Sequence, residues 1–290
     1  MISRKGCVFL RILEHPHCLE IQDIGAFSPE KTFECGQCFR FTPHPRGGYA
    51  GVAHGRWLRL WNGGDSLFME AARGDFETIW LPYFDLNRNY QSIERQLCRD
   101  PLLRQAVEFG LGLRILAQDP WEALCSFILS QCCNIPRIRS MIDTLCRLFG
   151  DKIATPDGAV FAFPRPEALA CQSPESLAPV RAGYRAAYLL SAAQKVADGF
   201  NLYGLSALPA DSAREQLMTL DGVGRKVADC VLLFGLQKLD AFPVDTWMKK
   251  ASSLWDDGFP SHLFGETAGI AQQYIFYFIR SRKPQKPTRK

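Results

Sequence analysis

From the N-terminus to Asn89 the apolar positions come in short runs rich in β-branched and aromatic side chains: "CVFLRI", "KTFECGQCFRF", "GYAGVAHG", "RWLRLWN" and "SLFMEA". Gly47-Gly48, Gly55 and Gly63-Gly64 stand between them. Short runs separated by glycine predict hairpins and hence an antiparallel sheet, with a covering helix near residues 28–31 or after Phe76. Beyond Asn89 the apolar spacing changes to that of helices. In "DPWE", Asp119 is expected to accept a backbone N–H, Pro120 to open the helix and Glu122 to reach back, a capping box. Trp121, Leu124, Cys125, Ile128, Leu129 and Cys132 behind it form one apolar stripe, which predicts a core helix. Further helices are predicted over residues 137–149, 166–170, 184–199, 211–220, 224–235, 246–254 and 267–280. No internal repeat is present, so the pattern describes a β-rich N-terminal unit followed by an all-helical one.

At 290 residues and 47% hydrophobic content the chain has the length of two domains and the composition of an ordinary globular protein. No apolar stretch reaches the roughly 18 residues of a membrane span. "MISRKGCVFLRILEHPHCLE" is broken by Arg11 and Glu14 and lacks a small-residue cleavage site, so it reads as a first strand rather than a signal. Eleven cysteines, an odd number, favour reduced thiols in an intracellular protein over a disulfide framework. The one Cys-x-x-Cys, Cys35 to Cys38, has no second pair at ligand spacing. Half-buried strand cysteines explain it better than a zinc or redox site.

The net charge of +4 comes from one end. The last eleven residues, "RSRKPQKPTRK", hold six of the 34 basic side chains; the other 28 face 30 acidic ones, a net of −2. Bulk charge therefore says nothing about the folded part, and the tail reads equally as a phosphate-binding arm or a solubilising end.

One segment carries chemistry. "LDGVGRKVADC" joins two predicted helices through Gly222 and Gly224 and places Lys226 in the first turn of the second. As structure alone, Gly222 is a left-handed C′ residue and Gly224 a cap. A helix rather than a strand precedes the glycines and the third glycine is missing, which excludes a Rossmann loop, and the lysine spacing is not that of a P-loop. A glycine turn with outward N–H groups ahead of a helix N-terminus binds phosphate. Val227, Cys230, Val231 and Phe234 form the buried stripe, with Lys226 at its edge. There, the helix N-terminus and desolvation should lower the lysine pKa from about 10.4, as an amine nucleophile requires; a snorkelling phosphate contact is the other reading. Asp245 in "FPVDTWMKK" reads as an N-cap, and a carboxylate so fixed can also stabilise positive charge on a sugar.

Leu220 to Lys226, followed by Pro243-Val244-Asp245 with the aspartate nineteen residues after the lysine, resembles the helix-hairpin-helix, Gly/Pro-rich, Asp (HhH-GPD) signature of base-excision DNA glycosylases. "GQCFRF", "DPWEALCSFILSQCCNIPRI", "GYRAAYL" and "AGIAQQYIF" extend the likeness over nearly the whole chain, to the 8-oxoguanine DNA glycosylase/lyase branch. The resemblance implies an α+β chain: an N-terminal antiparallel, TBP-like sheet domain (residues 1–118), a helical catalytic domain (119–279) and a basic disordered tail (280–290). It implies base flipping in duplex DNA. The Gly36 carbonyl would accept the N7–H of the oxidised base, Phe276 and Cys230 would sandwich it, and Gln272 would bond its pairing edge. Lys226 would attack C1′ while Asp245 stabilises the developing charge, and the resulting Schiff base would permit β-elimination.

Gly222 and Gly224 would contact DNA, as would Tyr184 as a wedge and Arg137 and Arg185 as readers of the opposite cytosine. Two departures stand out. Cys132-Cys133-Asn134 replaces a run of three asparagines found in eukaryotic members, which changes the residue expected to fill the gap left by the base. Trp247 replaces a phosphate-contacting histidine. The absence of cysteine after Cys230 argues against the iron–sulfur glycosylases, and neither metal nor cofactor is expected. Other readings are a glycosylase for another damaged purine and a non-catalytic DNA-binding module. The expected partner is duplex DNA containing 8-oxoguanine, acted on by a monomer with no membrane attachment, in a prokaryotic cytoplasm or otherwise a nucleus.

Overall fold

The computed structural model describes residues 10–255 and 264–282. Its N-terminal sheet has the expected antiparallel design, in the order β1-β2-β6-β5-β4-β3. The strands are β1 (Arg11–Glu14), β2 (Leu19–Gln22), β3 (Thr42–Pro43), β4 (Tyr49–Ala53), β5 (Arg56–Gly63) and β6 (Ser66–Met69). Leu19, Met69, Leu60 and Tyr49 stand opposite one another across four strands. This is one apolar row, since directly paired residues on neighbouring strands point to the same face. The part of "CVFLRI" before Leu10 lies outside the described residues.

"KTFECGQCFRF" is not a strand. Ser28 Oγ accepts the Lys31 N–H at 3.2 Å and Pro29 opens α1 (Pro29–Glu34), both helix-start signals. The chain then crosses residues 35–41 without regular structure, held by the fully buried Gln37. Its Nε2 donates to the carbonyls of Thr32 (2.9 Å) and Arg114 (2.7 Å), and its Oε1 accepts from Leu116 N at 2.9 Å. One side-chain amide thus supplies the partners a neighbouring strand would have offered.

A short helical stretch closes the sheet: α2 (Arg73–Asp75), a π turn (Phe76–Trp80) and α3 (Leu81–Tyr83). The remaining helices are α4 (Tyr90–Leu97), α5 (Pro101–Gly110), α6 (Pro120–Leu129), α7 (Ile135–Phe149), α8 (Pro166–Ala170), α9 (Arg185–Ala197), α10 (Ala210–Leu217), α11 (Arg225–Phe234), α12 (Thr246–Ser252) and α13 (Ala268–Ser281). The helical unit also carries one hairpin, β7 (Lys152–Thr155) with β8 (Gly158–Phe161). Its two-residue turn is Pro156-Asp157, and Gly158, which opens β8 opposite Thr155, has φ +123°.

Two local expectations at α6 need correction. Asp119 caps the helix as predicted, accepting from Trp121 N (2.9 Å) and Glu122 N (3.0 Å). Glu122 does not complete the box; its carboxylate is buried 3.8 Å from the Arg40 guanidinium. Cys132 is not in the stripe, because α6 ends at Leu129 and Cys132 is exposed at φ +49°. The helix is instead buried on nearly all sides, with Ala123, Ser126 and Phe127 covered as well.

Buried side chains form two cores. One lies under the sheet, around Ile21, Phe33, Leu58, Trp80 and Phe84. The other, within the helices, reaches back to Cys35, Phe39 and Tyr90. The segment 35–39 therefore joins the two. α11 packs against α6 and α10, and α13 against α5 and α12. Arg280 and Ser281 extend α13 rather than beginning a tail, while residues 283–290 lie outside the described residues.

Candidate active site

The Gly-x-Gly turn forms as a turn, not as a helix end. α10 stops at Leu217, so Gly222 (φ +75°) is a left-handed turn residue five positions on rather than its C′ residue. A β-carbon at Gly222 would stand 2.3 Å from the Tyr188 ring, and its carbonyl accepts from Gln131 Nε2 at 3.0 Å. Only glycine suits that φ and that contact. Gly224 is the N-cap of α11, extended at φ −89°, with open space where a side chain would be. No side chain caps α11 and its first turn holds no acid, so its first N–H groups are left for an external acceptor. The buried Asp229 carboxylate ties α11 to α10 through Arg214 Nε at 2.5 Å.

Lys226 is half-buried on this helix. Its Nζ lies 3.3 Å from Ser130 Oγ at the end of α6 and 5.2 Å from the centre of the Phe127 ring. Asp245 is the N-cap of α12: its Oδ1 accepts from Trp247 N at 3.0 Å and Met248 N at 2.8 Å. That uses one carboxylate oxygen and holds the group at the mouth of the same cavity as Lys226.

The structure brings the four predicted base contacts together. Gly36, Cys230, Gln272 and Phe276 line a small cavity with Lys226 and Asp245. At about 40 Å³ it has room for little more than a water, so side chains must move for a base to enter. An adjoining space of about 340 Å³ shares Gly36, Lys226, Asp245 and Phe276 and adds Asn134 and Trp247. Burial pushes the Cys230 thiol up to about 11, against the pull of Lys226, so the thiol is neutral. Gln272 is 3% exposed, and its Oε1 is buried without a hydrogen-bond partner. A polar atom left unsatisfied at a cavity wall is expected where a ligand supplies the missing bond. Gly36 has φ +84°.

The residues assigned to DNA divide into two groups. Tyr184 is 55% exposed, and Arg137 is exposed on α7, where its Nη2 donates to the Arg181 carbonyl at 3.4 Å. Asn134 is exposed as the N-cap of α7, accepting from Arg137 N at 3.0 Å. Trp247 is half-buried, with Lys250 Nζ 5.0 Å from its ring centre. Arg185, by contrast, is 5% exposed; it donates from Nε to the Ala182 carbonyl at 2.9 Å and from Nη1 to the Gln131 carbonyl. As it stands, this guanidinium supports the loop ahead of α7 rather than facing outward.

Two family models meet in the middle of α6. The description "8-oxoguanine DNA glycosylase, N-terminal domain" matches residues 21–124, and "HhH-GPD superfamily base excision DNA repair protein" matches residues 125–257. A probable N-glycosylase/DNA lyase of Methanothermobacter thermautotrophicus is 31% identical over 239 residues, 72% of this chain and 75% of that protein. The chain belongs to the 8-oxoguanine DNA glycosylase family. The glycosylase is also 41% identical over 152 residues to the N-glycosylase/DNA lyase of Saccharomyces cerevisiae, across 48% of this chain and 40% of the yeast protein. Its fold superposes on Clostridium acetobutylicum 8-oxoguanine glycosylase/lyase in complex with double-stranded DNA containing cytosine opposite 8-oxoG. There the TM-score is 0.88 and the identity 36%, covering 93% of this chain and 97% of the other.

Sequence reasoning missed several residues of the glycosylase cavity. Phe127, Phe234 and Pro243 form apolar walls, and Ser130 and Arg280 add polar groups. Ser130 lies inside the "FILSQCC" block, but only folding puts its hydroxyl beside Lys226. Cys35 and Cys38 are fully buried outside any strand, and burial pushes the Cys35 thiol up to about 11, opposite to what a reactive thiolate needs. Among the described residues no cluster of three or more His, Cys, Asp or Glu could hold a metal, and no helix is long and apolar enough to cross a membrane. A larger cavity, about 630 Å³, lies between the sheet, α7 and the β7–β8 hairpin and is lined by none of the predicted site residues. The predicted site residues gather at the smaller ones.

Proposed function

We propose that this glycosylase excises 8-oxoguanine from duplex DNA and then nicks the abasic strand by β-elimination. The single observation that carries the reading is the convergence of Lys226, Asp245, Gly36, Cys230, Gln272 and Phe276 on one cavity from four separate stretches of chain. Such a cavity can receive a nucleotide only if it leaves the duplex, at a cost of a few kcal/mol in unstacking. The N–H groups at Gly224 and the start of α11 hold a phosphate on the helix N-terminus.

In this reading the Lys226 amine gives its lone pair to C1′, and the C1′–N9 bond breaks with its electrons leaving on the base, which takes up a proton. Asp245, fixed by α12, stabilises the positive charge that builds on the sugar as the bond stretches. Opening of the C1′–O4′ bond yields the imine. Loss of a C2′ proton then expels the 3′ phosphate and cuts the strand. Gly36 takes N7–H, the proton that distinguishes 8-oxoguanine from guanine, while Gln272 takes the pairing edge. Every group this reading invokes belongs to this chain, so the chemistry needs no residue from a second copy. Its place of work is wherever the DNA is, a nucleoid or a nucleus.

The test is reduction with borohydride in the presence of an 8-oxoguanine duplex. A covalent protein–DNA adduct forms with the natural chain and not with Lys226→Gln. Absence of any adduct with the natural chain would reduce the protein to a DNA-binding module.

A further inference from the structure

Arg280 lies one turn after Phe276 on α13 and is the one guanidinium lining the larger space that adjoins the base cavity and shares Gly36, Lys226, Asp245 and Phe276 with it. Its Nη2 donates to the Glu34 carbonyl, and its Cζ lies 5.4 Å from the centre of the Phe276 ring. The Glu34 carboxylate is already engaged by Arg139 Nη2 at 3.0 Å. Arg280 Nη1 is left buried with no hydrogen-bond partner. It sits directly against Gly36: a β-carbon on that glycine would come within 2.8 Å of Nη1 and 3.3 Å of Phe276 Cε1. A positively charged N–H held in a fixed fork and denied an acceptor is a donor prepared for a ligand oxygen.

We propose that Arg280 donates a hydrogen bond to O8 of the extruded base and so reads the oxygen that oxidation adds. This rests on the 8-oxoguanine reading above, in which N7 faces the Gly36 carbonyl. N7 is bonded to C8, which carries O8, and Gln272 serves the opposite, pairing edge. The acceptor left for a donor beside Gly36 is then O8. Guanine presents a C8–H there, so docking guanine leaves the buried Nη1 unpaired as well as removing the N7–H bond. The two contacts discriminate together, and a site built to bond a polar group rejects the analogue lacking it.

The experiment uses the full chain with Arg280→Met and three duplexes. One carries 8-oxoguanine, one carries 8-thioguanine, which keeps N7–H but presents a poorly accepting sulfur, and one carries an abasic site with no base. Single-turnover excision of 8-oxoguanine should fall about ten- to hundredfold, the loss of a charge-assisted bond. Excision of 8-thioguanine should fall at most a few fold, and abasic-site incision should stay within about twofold. Arg280→Lys, which keeps a single charged donor, should recover part of the 8-oxoguanine rate. Equal losses on the oxo and thio bases would make Arg280 merely a support for the Gly36 loop and overturn the proposal. A loss that extends to abasic DNA would assign it to the phosphate or to folding and also overturn it, as would no loss at all. Failure of the natural chain to excise 8-oxoguanine would instead sink the underlying reading.

Discussion

Gln272 and Gln273 are neighbours on α13, both buried, with opposite fates: Gln273 Nε2 donates to the Cys35 carbonyl at 2.9 Å, whereas Gln272 Oε1 has no partner and faces the cavity. One amide holds the loop that carries Gly36; the other carries a desolvation penalty until a base arrives. Gln272→Leu should therefore raise the melting temperature while lowering 8-oxoguanine excision about tenfold or more, because removing an unpaired buried group relieves about 1–3 kcal/mol. Gln273→Leu should lower the melting temperature by orphaning the Cys35 carbonyl. Thermal unfolding beside single-turnover kinetics checks both; a destabilised Gln272→Leu would contradict the assignment.

Asp245 has two roles that one pair of variants separates. Asn caps a helix about as well as Asp, so Asp245→Asn should leave stability within about 0.5 kcal/mol while excision falls on the order of 10²–10³-fold, the scale for removing one charge-stabilising group. Asp245→Ala should lose the cap too and destabilise by about 1 kcal/mol more. Denaturant unfolding and excision rates measured together decide it. Asp245→Asn with full activity would leave the carboxylate only a capping role.

The legible parts of this fold were those written in local pattern. The Gly-punctuated hairpins β4–β5 and β5–β6, the Asp119 and Asp245 caps and the Gly222–Lys226 turn all follow from residues within a few positions of each other. "KTFECGQCFRF" misled because its strand-like composition is overridden by Gln37, whose partners at Arg114 and Leu116 lie nearly eighty positions away. Ser130 and Arg280 were invisible for the same reason: Ser130 lies in a recognisable block and Arg280 just beyond one, but each gains its place only when α6 and α13 pack around α11 and the Gly36 loop. The resemblance makes Arg185 a reader of the opposite cytosine, and the sequence could not reveal that its guanidinium donates to the Ala182 and Gln131 carbonyls.

Gly36→Ala should separate recognition from lyase chemistry. At φ +84° an added β-carbon is strained by about 1–2 kcal/mol, and it also meets Arg280 Nη1 at 2.8 Å and Phe276 Cε1 at 3.3 Å. The arginine tip can shift, but the base stack against Phe276 is then disturbed. Excision of 8-oxoguanine should drop about tenfold or more while incision of a preformed abasic site, which needs only Lys226, stays near the natural rate. Parallel gel assays on the two substrates read the split.

Glu122 predicts a pH dependence of stability. Burial pushes its carboxyl up to about 7 from the usual 4.5, with Arg40 pulling the other way. Between those values the folded chain holds a proton that the unfolded chain has released. Stability is then complete below about 4.5 and lost as pH rises through about 7, by about 3 kcal/mol. Glu122→Gln is neutral throughout, so its stability relative to the natural chain should rise by that order from pH 5 to pH 8. Urea unfolding at four pH values between them measures the difference, and a flat difference would place the Glu122 carboxyl near its usual range.

The opposite strand should be read loosely. Selectivity for one partner base needs donors that reach its edge, and each good contact is worth about 1–3 kcal/mol. Of the groups expected to supply them, the Arg185 guanidinium is engaged with the Gln131 and Ala182 carbonyls, and Asn134, whose Oδ1 accepts from the α7 backbone, has its neutral Nδ2 to donate. Cys132, exposed at φ +49°, has only a weak S–H to offer. Of the two guanidiniums, Arg137 is the exposed one, with a single long hydrogen bond to the Arg181 carbonyl. Excision of 8-oxoguanine should therefore vary only a few fold among duplexes carrying cytosine, adenine, guanine or thymine opposite the lesion, and Arg137→Ala should flatten even that. A cytosine preference of a hundredfold would mean that Arg185 leaves its carbonyls when DNA binds, and Arg185→Ala would then abolish the preference instead.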